Sequence, residues 1–80
     1  MKVQILGSGC ARCKLLEEHA RQAIAEFHLE DAEIEKITAV EDIMRMGVMS
    51  TPGLAVDGVV KSSGRVLTKE QIADFLTRAN

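Results

Sequence analysis

The sequence of 80 residues contains no tryptophan and no tyrosine, and its two aromatic side chains are those of Phe27 and Phe75. It also lacks a cluster of lysine or arginine residues, and its formal net charge is −2. Proteins that bind single-stranded nucleic acid combine aromatic rings, on which bases stack, with a basic groove that follows the phosphates. We therefore expect no nucleic-acid partner.

Long apolar runs are absent as well. A membrane-spanning helix needs about 20 consecutive apolar residues, and the segment Met1–Leu6 is too short for a signal peptide. The sequence therefore predicts a cytoplasmic protein without a membrane partner. Because 80 residues with 46% hydrophobic residues supply one modest core, we expect a single domain over residues 1–80, with a monomer as its default state.

Cysteine and proline are scarce, since Cys10, Cys13 and Pro52 are the only residues of these two types. In the reducing cytoplasm, two cysteines at this spacing are more typical of a redox-active or metal-binding pair than of a permanent cross-link. Cys13 would follow Cys10 by one helical turn on the same face, close enough for a disulfide to form without moving the backbone. The pair could therefore open and close.

The first half of the chain predicts a strand, a helix and a second strand. The apolar run Val3–Leu6 ends at a glycine turn, as a central strand does. From Ala11 to Phe27, apolar residues recur every three or four positions, which predicts a helix. Its inward stripe consists of Cys13, Leu16, Ala20, Ala23, Ile24 and Phe27. Residues 32–37 suit a second strand in length and boundaries.

A short helix and a hairpin are predicted next. Thr38 and Glu41 form a capping-box pattern that opens a helix through Met46, and Gly47 ends it. The dipeptide Asp57-Gly58 between apolar pairs predicts a hairpin of two antiparallel strands.

The end of the chain predicts a third helix. Ser62-Ser63-Gly64 is expected to break the sheet, and Thr68 with Gln71 forms a second capping-box pattern. The inward stripe of this helix consists of Ile72, Phe75, Leu76 and Ala79. The predicted order is βαβαββα, an α/β fold with a mixed four-stranded sheet and helices on both faces. Both cysteines then lie at the carboxyl end of the first strand, where open α/β sheets place their chemistry.

The position of Cys10 at a helix start predicts a reactive sulfur. Free N–H groups and the positive end of the helix dipole favour a thiolate there, and Arg12 and Lys14 are candidates to add to the effect. Gly7 and Gly9 are expected to keep bulk away from Cys10. The apolar stripe places Cys13 inward.

Two chemistries are open to such a pair: thiol–disulfide exchange, and the carriage of a soft metal ion such as Cu(I). Met44, Met46 and Met49 are either thioether ligands or gap-filling core residues. His19 and His28 cannot complete a zinc site, because His28 would lie about 22 Å along the helix from Cys13. We expect no resident metal and no cofactor.

The segment Cys10-Ala11-Arg12-Cys13, together with Gly47-Val48-Met49-Ser50-Thr51-Pro52-Gly53-Leu54, resembles the thioredoxin superfamily. The likeness covers nearly the whole chain, whose length and element order are those of a glutaredoxin-sized member. It is greatest to the small thioredoxin-like redox-active disulfide proteins of bacteria and archaea. The Cu(I) carriers that share the cysteine spacing run βαββαβ instead and end on a strand.

The resemblance implies a thioredoxin-like thiol–disulfide oxidoreductase that transfers electrons in cell redox homeostasis. Carried over by position, Cys10 attacks protein disulfides, Cys13 resolves the mixed disulfide, and Thr51-Pro52 is a cis peptide facing them. Gly9 and Arg12 would also contact the substrate, and a thioredoxin-reductase-like protein would supply the electrons.

Two departures from the family pattern bear on mechanism and partners. Thioredoxins carry a buried aspartate six residues before the first cysteine, where this chain has Gln4. The residues that bind glutathione in glutaredoxins are not matched either, because this chain has Ser50-Thr51-Pro52 and Ser63-Gly64-Arg65 at those positions. The second departure argues against glutathione as a partner.

Overall fold

A computed structural model of the chain describes residues 1–78, and the predicted order βαβαββα is confirmed. The elements are β1 (Lys2–Leu6), α1 (Ala11–Glu26), β2 (Glu33–Ile37), α2 (Val40–Arg45), β3 (Gly53–Val56), β4 (Val59–Ser63) and α3 (Lys69–Arg78). Ala79, which the sequence assigns to the inward stripe of the last helix, lies outside the described residues. None of the helices in residues 1–78 is long and apolar enough to cross a membrane.

The four strands form one mixed sheet, as predicted, and they lie in the order β2-β1-β3-β4. Strand β1 pairs in parallel with β2 and antiparallel with β3, and β3 pairs antiparallel with β4. The β3–β4 hairpin turns at Asp57 and Gly58, whose φ angles are 49° and 84°. Two successive positive φ angles are those of the tight hairpin turn that the Asp-Gly signal predicts.

The sheet separates two hydrophobic clusters, and this places helices on both of its faces. The larger cluster joins β1 and β3 to α1 and α3, and it includes Val3, Ile5, Leu16, Ala20, Leu54, Ile72 and Leu76. The smaller joins β1 and β3 to α2 and the loop after it through Leu6, Ile43, Val48 and Ala55. Successive strand residues alternate between faces, so Ile5 and Leu6 contribute to different clusters. Strand β1 is therefore central, and the turn that follows it is supported from both sides.

One capping prediction is correct and one is wrong. At α3 the Gln71 backbone N–H donates to Thr68 Oγ1 at 3.1 Å, and the Thr68 N–H donates to Gln71 Oε1 at 2.9 Å. At α2, however, the N-cap is Ala39 rather than Thr38, with no side-chain cap hydrogen bond, and the helix begins at Val40. Thr38 follows β2 directly and is one of the residues that line a cavity beside Cys13. It is exposed, and it does not cap the helix.

Two other local expectations also need correction. Strand β4 continues through Ser63, because Ser62 and Ser63 pair with Leu54 and Gly53 of β3. The sheet therefore ends only at Gly64, which has a φ of 73°. Phe27, predicted on the inward stripe of α1, caps the helix and is 45% exposed.

Candidate active site

The turn after β1 delivers Cys10 to the start of α1. Cys10 is the N-cap, with extended φ and ψ angles of −68° and 167°. Its Sγ accepts a hydrogen bond from the Cys13 backbone N–H at 3.3 Å, in the way that a serine or aspartate oxygen caps a helix. This bond satisfies one of the free N–H groups of the first turn, and it is strongest when the sulfur is a thiolate.

The two cysteines, both free thiols, lie in contrasting environments: Cys10 is exposed, whereas Cys13 is 4% exposed. Hydrogen bonds from Cys13, first from its side chain and then from its backbone N–H, lower the pKa of Cys10. Burial, and then the hydrogen bond to Cys10, raise the pKa of Cys13. At neutral pH the exposed sulfur is therefore the better nucleophile of the two.

The two glycines of the turn have different roles. A Cβ added at Gly7 would lie 2.3 Å from Cys13 Sγ, so this glycine makes room for the buried sulfur rather than for Cys10 as the sequence analysis expected. Gly9 has a φ of 91° and open space around its missing side chain. Its left-handed backbone turns the chain into the N-cap residue, Cys10.

Thr51 and Pro52 lie beside this turn, and the peptide bond between them is cis. Pro52 is fully buried and Thr51 is exposed. A Cβ at Gly7 would lie 3.8 Å from Thr51 Cβ, on the same side as the Cys13 sulfur. Thr51 and the Cys13 sulfur therefore both lie against the turn that leads to Cys10.

Arg12 links the start of α1 to the proline segment through Gly64. Its Nη2 donates to the Gly64 carbonyl at 2.8 Å, and the Gly64 N–H donates to the Pro52 carbonyl at 2.8 Å. Arg12 contributes to the lowered pKa of Cys10 through its backbone N–H. The geometry thus gives its guanidinium a bracing role between α1 and the loop after β4.

The histidine and methionine residues singled out in the sequence lie in packing or surface positions. His19 Nδ1 lies 2.8 Å from the Leu67 carbonyl and ties α1 to the loop before α3. Met46 packs against the smaller cluster, as a gap-filling residue does. Met44 and Met49 do not, since they are 60% and 84% exposed.

The two exposed methionines border an apolar groove that continues from the site. Its lining residues are Ser8, Val40, Ile43, Met44, Val48, Met49 and Thr51. Ser8 and Thr51 belong to the two segments that hold the cysteines and the cis-proline, so the groove and the thiol site adjoin. This surface was not predicted from the sequence. The sequence signal for it is the presence of Val40, Ile43 and Met44 on α2, a helix of six residues that buries only Ile43 among them.

Three matches, to a family model and to two known thioredoxins, each extend over nearly the whole chain. A family model described as a thioredoxin domain matches residues 1–77. A thioredoxin from Methanothermobacter thermautotrophicus is 49% identical over 77 residues, which cover 96% of this chain and 99% of the relative. A thioredoxin from Methanocaldococcus jannaschii is 36% identical over 74 residues, which cover 92% of this chain and 84% of the relative. These matches give the metal-carrier alternative no support.

Proposed function

Because the chain belongs to the thioredoxin family and is a thiol–disulfide oxidoreductase, we propose that Cys10 is its attacking cysteine and Cys13 its resolving cysteine. The observation that supports this assignment is the contrast between the two sulfurs. Cys10 is exposed and has a lowered pKa, whereas Cys13 is buried and has a raised one. A substrate disulfide can therefore reach only one of the two as a thiolate.

The reaction then runs in two exchanges. The Cys10 thiolate attacks one sulfur of the substrate disulfide, forms a mixed disulfide with it and expels the other sulfur as a thiolate. Cys13, held one turn away, next attacks Cys10 Sγ. The Cys10–Cys13 disulfide forms, and the second substrate sulfur leaves as a thiolate. The substrate has gained two electrons, which the cysteine pair has lost.

Membership of the family implies protein disulfides as substrates and a reductase as electron donor. The groove beside the thiols is our candidate for holding the polypeptide that flanks a substrate disulfide, because Met44 and Met49 are exposed there and flexible thioethers adapt to varied apolar side chains. Exposed Thr51, with buried Pro52 next to it, would align that polypeptide, and Gly9 would let it approach Cys10. Arg12 would brace this arrangement through Gly64.

The donor is proposed to be a thioredoxin-reductase-like protein, and the compartment the reducing cytoplasm, where a dithiol of this kind is kept open. Glutathione is not part of this proposal. The residues that hold it in glutaredoxins have no counterpart in Ser50-Thr51-Pro52 or Ser63-Gly64-Arg65.

Turnover with a protein disulfide tests the proposed function. We expect the purified protein, supplied with a dithiol reductant, to accelerate reduction of a model protein disulfide while its cysteines cycle between dithiol and intramolecular disulfide. The reason is that two sulfurs one helical turn apart can attack in sequence. Reduction would be followed against reductant alone, with thiol titration before and after. A rate equal to that control, with both thiols free, would contradict the proposal.

A further inference from the structure

A small cavity of about 60 Å³ lies beside the buried sulfur of Cys13. It is enclosed by the turn after β1, the first turns of α1 and the end of β2. The wall residues that matter here are Gly7, Cys13, Lys14, Glu17, Lys36 and Thr38. The cavity thus contains a thiol, a carboxylate, cations and a hydroxyl.

Glu17 follows Cys13 by one turn of α1, so the Cβ atoms of the two residues are about 5–6 Å apart on the same helix face. The Glu17 side chain is only 17% exposed. Arg21 holds its Oε2, through Nη2 at 2.8 Å and Nε at 3.1 Å. Oε1 makes a longer contact, 3.5 Å to Lys36 Nζ. Because a carboxylate oxygen can accept two hydrogen bonds, Oε1 keeps capacity for another donor.

The cavity suits water. Its volume is well above the roughly 10–15 Å³ that one water molecule requires, and its walls offer the two to four polar partners that a buried water needs. Cys13 and Glu17 both line the cavity, so water inside it would lie between the thiol and the carboxylate. Hydrogen bonds from Arg21, and the charge of Lys36, lower the pKa of Glu17 and keep it ionised at neutral pH.

We propose that Glu17 accepts the proton of the Cys13 thiol, through water in this cavity, as Cys13 attacks the mixed disulfide. The inference rests on the proposed roles of the two cysteines. The proton passes from Cys13 to the Glu17 carboxylate and on to solvent. The sulfur electron pair forms the bond to Cys10 Sγ, and the substrate sulfur departs as a thiolate that takes its own proton from solvent. Glu17 returns to its ionised form.

The charged groups around this step set its pH dependence. Lys14 and Arg21 on α1 and Lys36 on β2 face Glu17, and all three are cations. Cys10 faces Cys13, but during this step its sulfur is in the mixed disulfide and has no proton to lose. The deprotonation of Cys13 is therefore the change that Glu17 assists.

The test separates the two exchanges by using dithiobis(nitrobenzoate), which releases one coloured thiolate when Cys10 attacks and a second when Cys13 resolves the adduct. We expect Glu17→Gln to leave the first release unchanged and to slow the second about tenfold at neutral pH, less than the 10²–10⁴-fold of a well-matched base. The deficit should shrink as the pH rises, because solvent then removes the Cys13 proton unaided. Glu17→Asp, which keeps the carboxylate, should recover part of the rate.

Glu18→Gln is the matched control, because Glu18 is the neighbouring exposed carboxylate of α1, and both of its releases should stay at the wild-type rate. A second release that becomes faster in Glu17→Gln would overturn the inference. It would show that the carboxylate acts only as a negative charge that raises the pKa of Cys13. An unchanged second release would also overturn it. If the wild-type protein released no first thiolate, that result would instead contradict the proposed function.

Discussion

Replacement of Cys10 by serine will reduce the rate of protein-disulfide reduction to that of the reductant alone, a loss of about a thousandfold or more. A serine hydroxyl is not ionised at neutral pH, and hydrogen bonds from Cys13 cannot make it a nucleophile toward sulfur. The remaining thiol, Cys13, is 4% exposed and has a raised pKa, so it cannot take over the first attack. The measurement is the rate of reduction of a model protein disulfide with a dithiol reductant.

Glu18→Gln is the control for this replacement as well, because Glu18 is an exposed residue of α1 that lines neither the groove nor the cavity. It should retain activity within about twofold, as expected for a surface change that leaves the thiols in place. Substantial activity in Cys10→Ser would mean that Cys13 can attack substrates directly, against the assignment made here.

The second large effect concerns the other cysteine. In Cys13→Ser, Cys10 keeps its exposed sulfur and attacks as before, but the intramolecular attack that breaks the mixed disulfide is lost. Intramolecular reactions of well-placed groups have effective concentrations of about 10⁵ M or more, so external thiols replace Cys13 poorly. We expect a covalent adduct with the substrate protein that persists at least about a hundredfold longer than in wild type.

Non-reducing gel electrophoresis, with mass spectrometry of the adduct band, measures this lifetime. The reciprocal variant Cys10→Ser serves as the comparison and should trap little adduct. Equal trapping by the two variants would show that both sulfurs reach substrate, and the roles proposed for Cys10 and Cys13 would then be wrong.

Much of this fold could be predicted from short-range signals. The Asp57-Gly58 hairpin and the Thr68–Gln71 capping box depend on residues that are close together in sequence, and both form as predicted. The inward position of Cys13 follows from helical periodicity, since it shares a face with the buried residues Leu16 and Ala20. In each of these cases, local geometry and the tertiary packing favour the same conformation.

The errors arise where distant segments meet. Thr38 has the sequence pattern of a helix cap, but it lies at the end of β2 beside the cavity that Cys13 also lines, and the helix starts without it. Gly7 contacts the Cys13 sulfur across the turn, a proximity that spacing along the chain does not reveal. The environment of Glu17 depends on Lys36, which reaches it only because β2 pairs with β1.

The way in which charged residues near Cys10 act could not be predicted from the sequence either. Arg12 and Lys14 were candidates to stabilise the Cys10 thiolate by charge. The structure instead gives the Arg12 guanidinium a hydrogen bond to the Gly64 carbonyl, and hydrogen bonds from Cys13 lead the causes that lower the pKa of Cys10. The sequence predicts Cys10 as the reactive cysteine, whereas the groups that tune its pKa are defined by three-dimensional contacts.

Cys10 and Cys13 are expected to differ in reactivity, and their rates of alkylation measure this difference directly. Trypsin cleaves after Arg12, so it places Cys10 and Cys13 of the same chain on separate peptides, residues 3–12 and 13–14. Reduced wild-type protein would be treated briefly with iodoacetamide over a range of pH, then denatured, labelled with a heavy form of the reagent and digested. We predict that Cys10 is modified much faster near neutral pH, with a pKa below the ordinary value of about 8.5 for a free cysteine, while Cys13 is modified slowly and only at higher pH. Equal rates for the two cysteines, or faster modification of Cys13, would contradict the account.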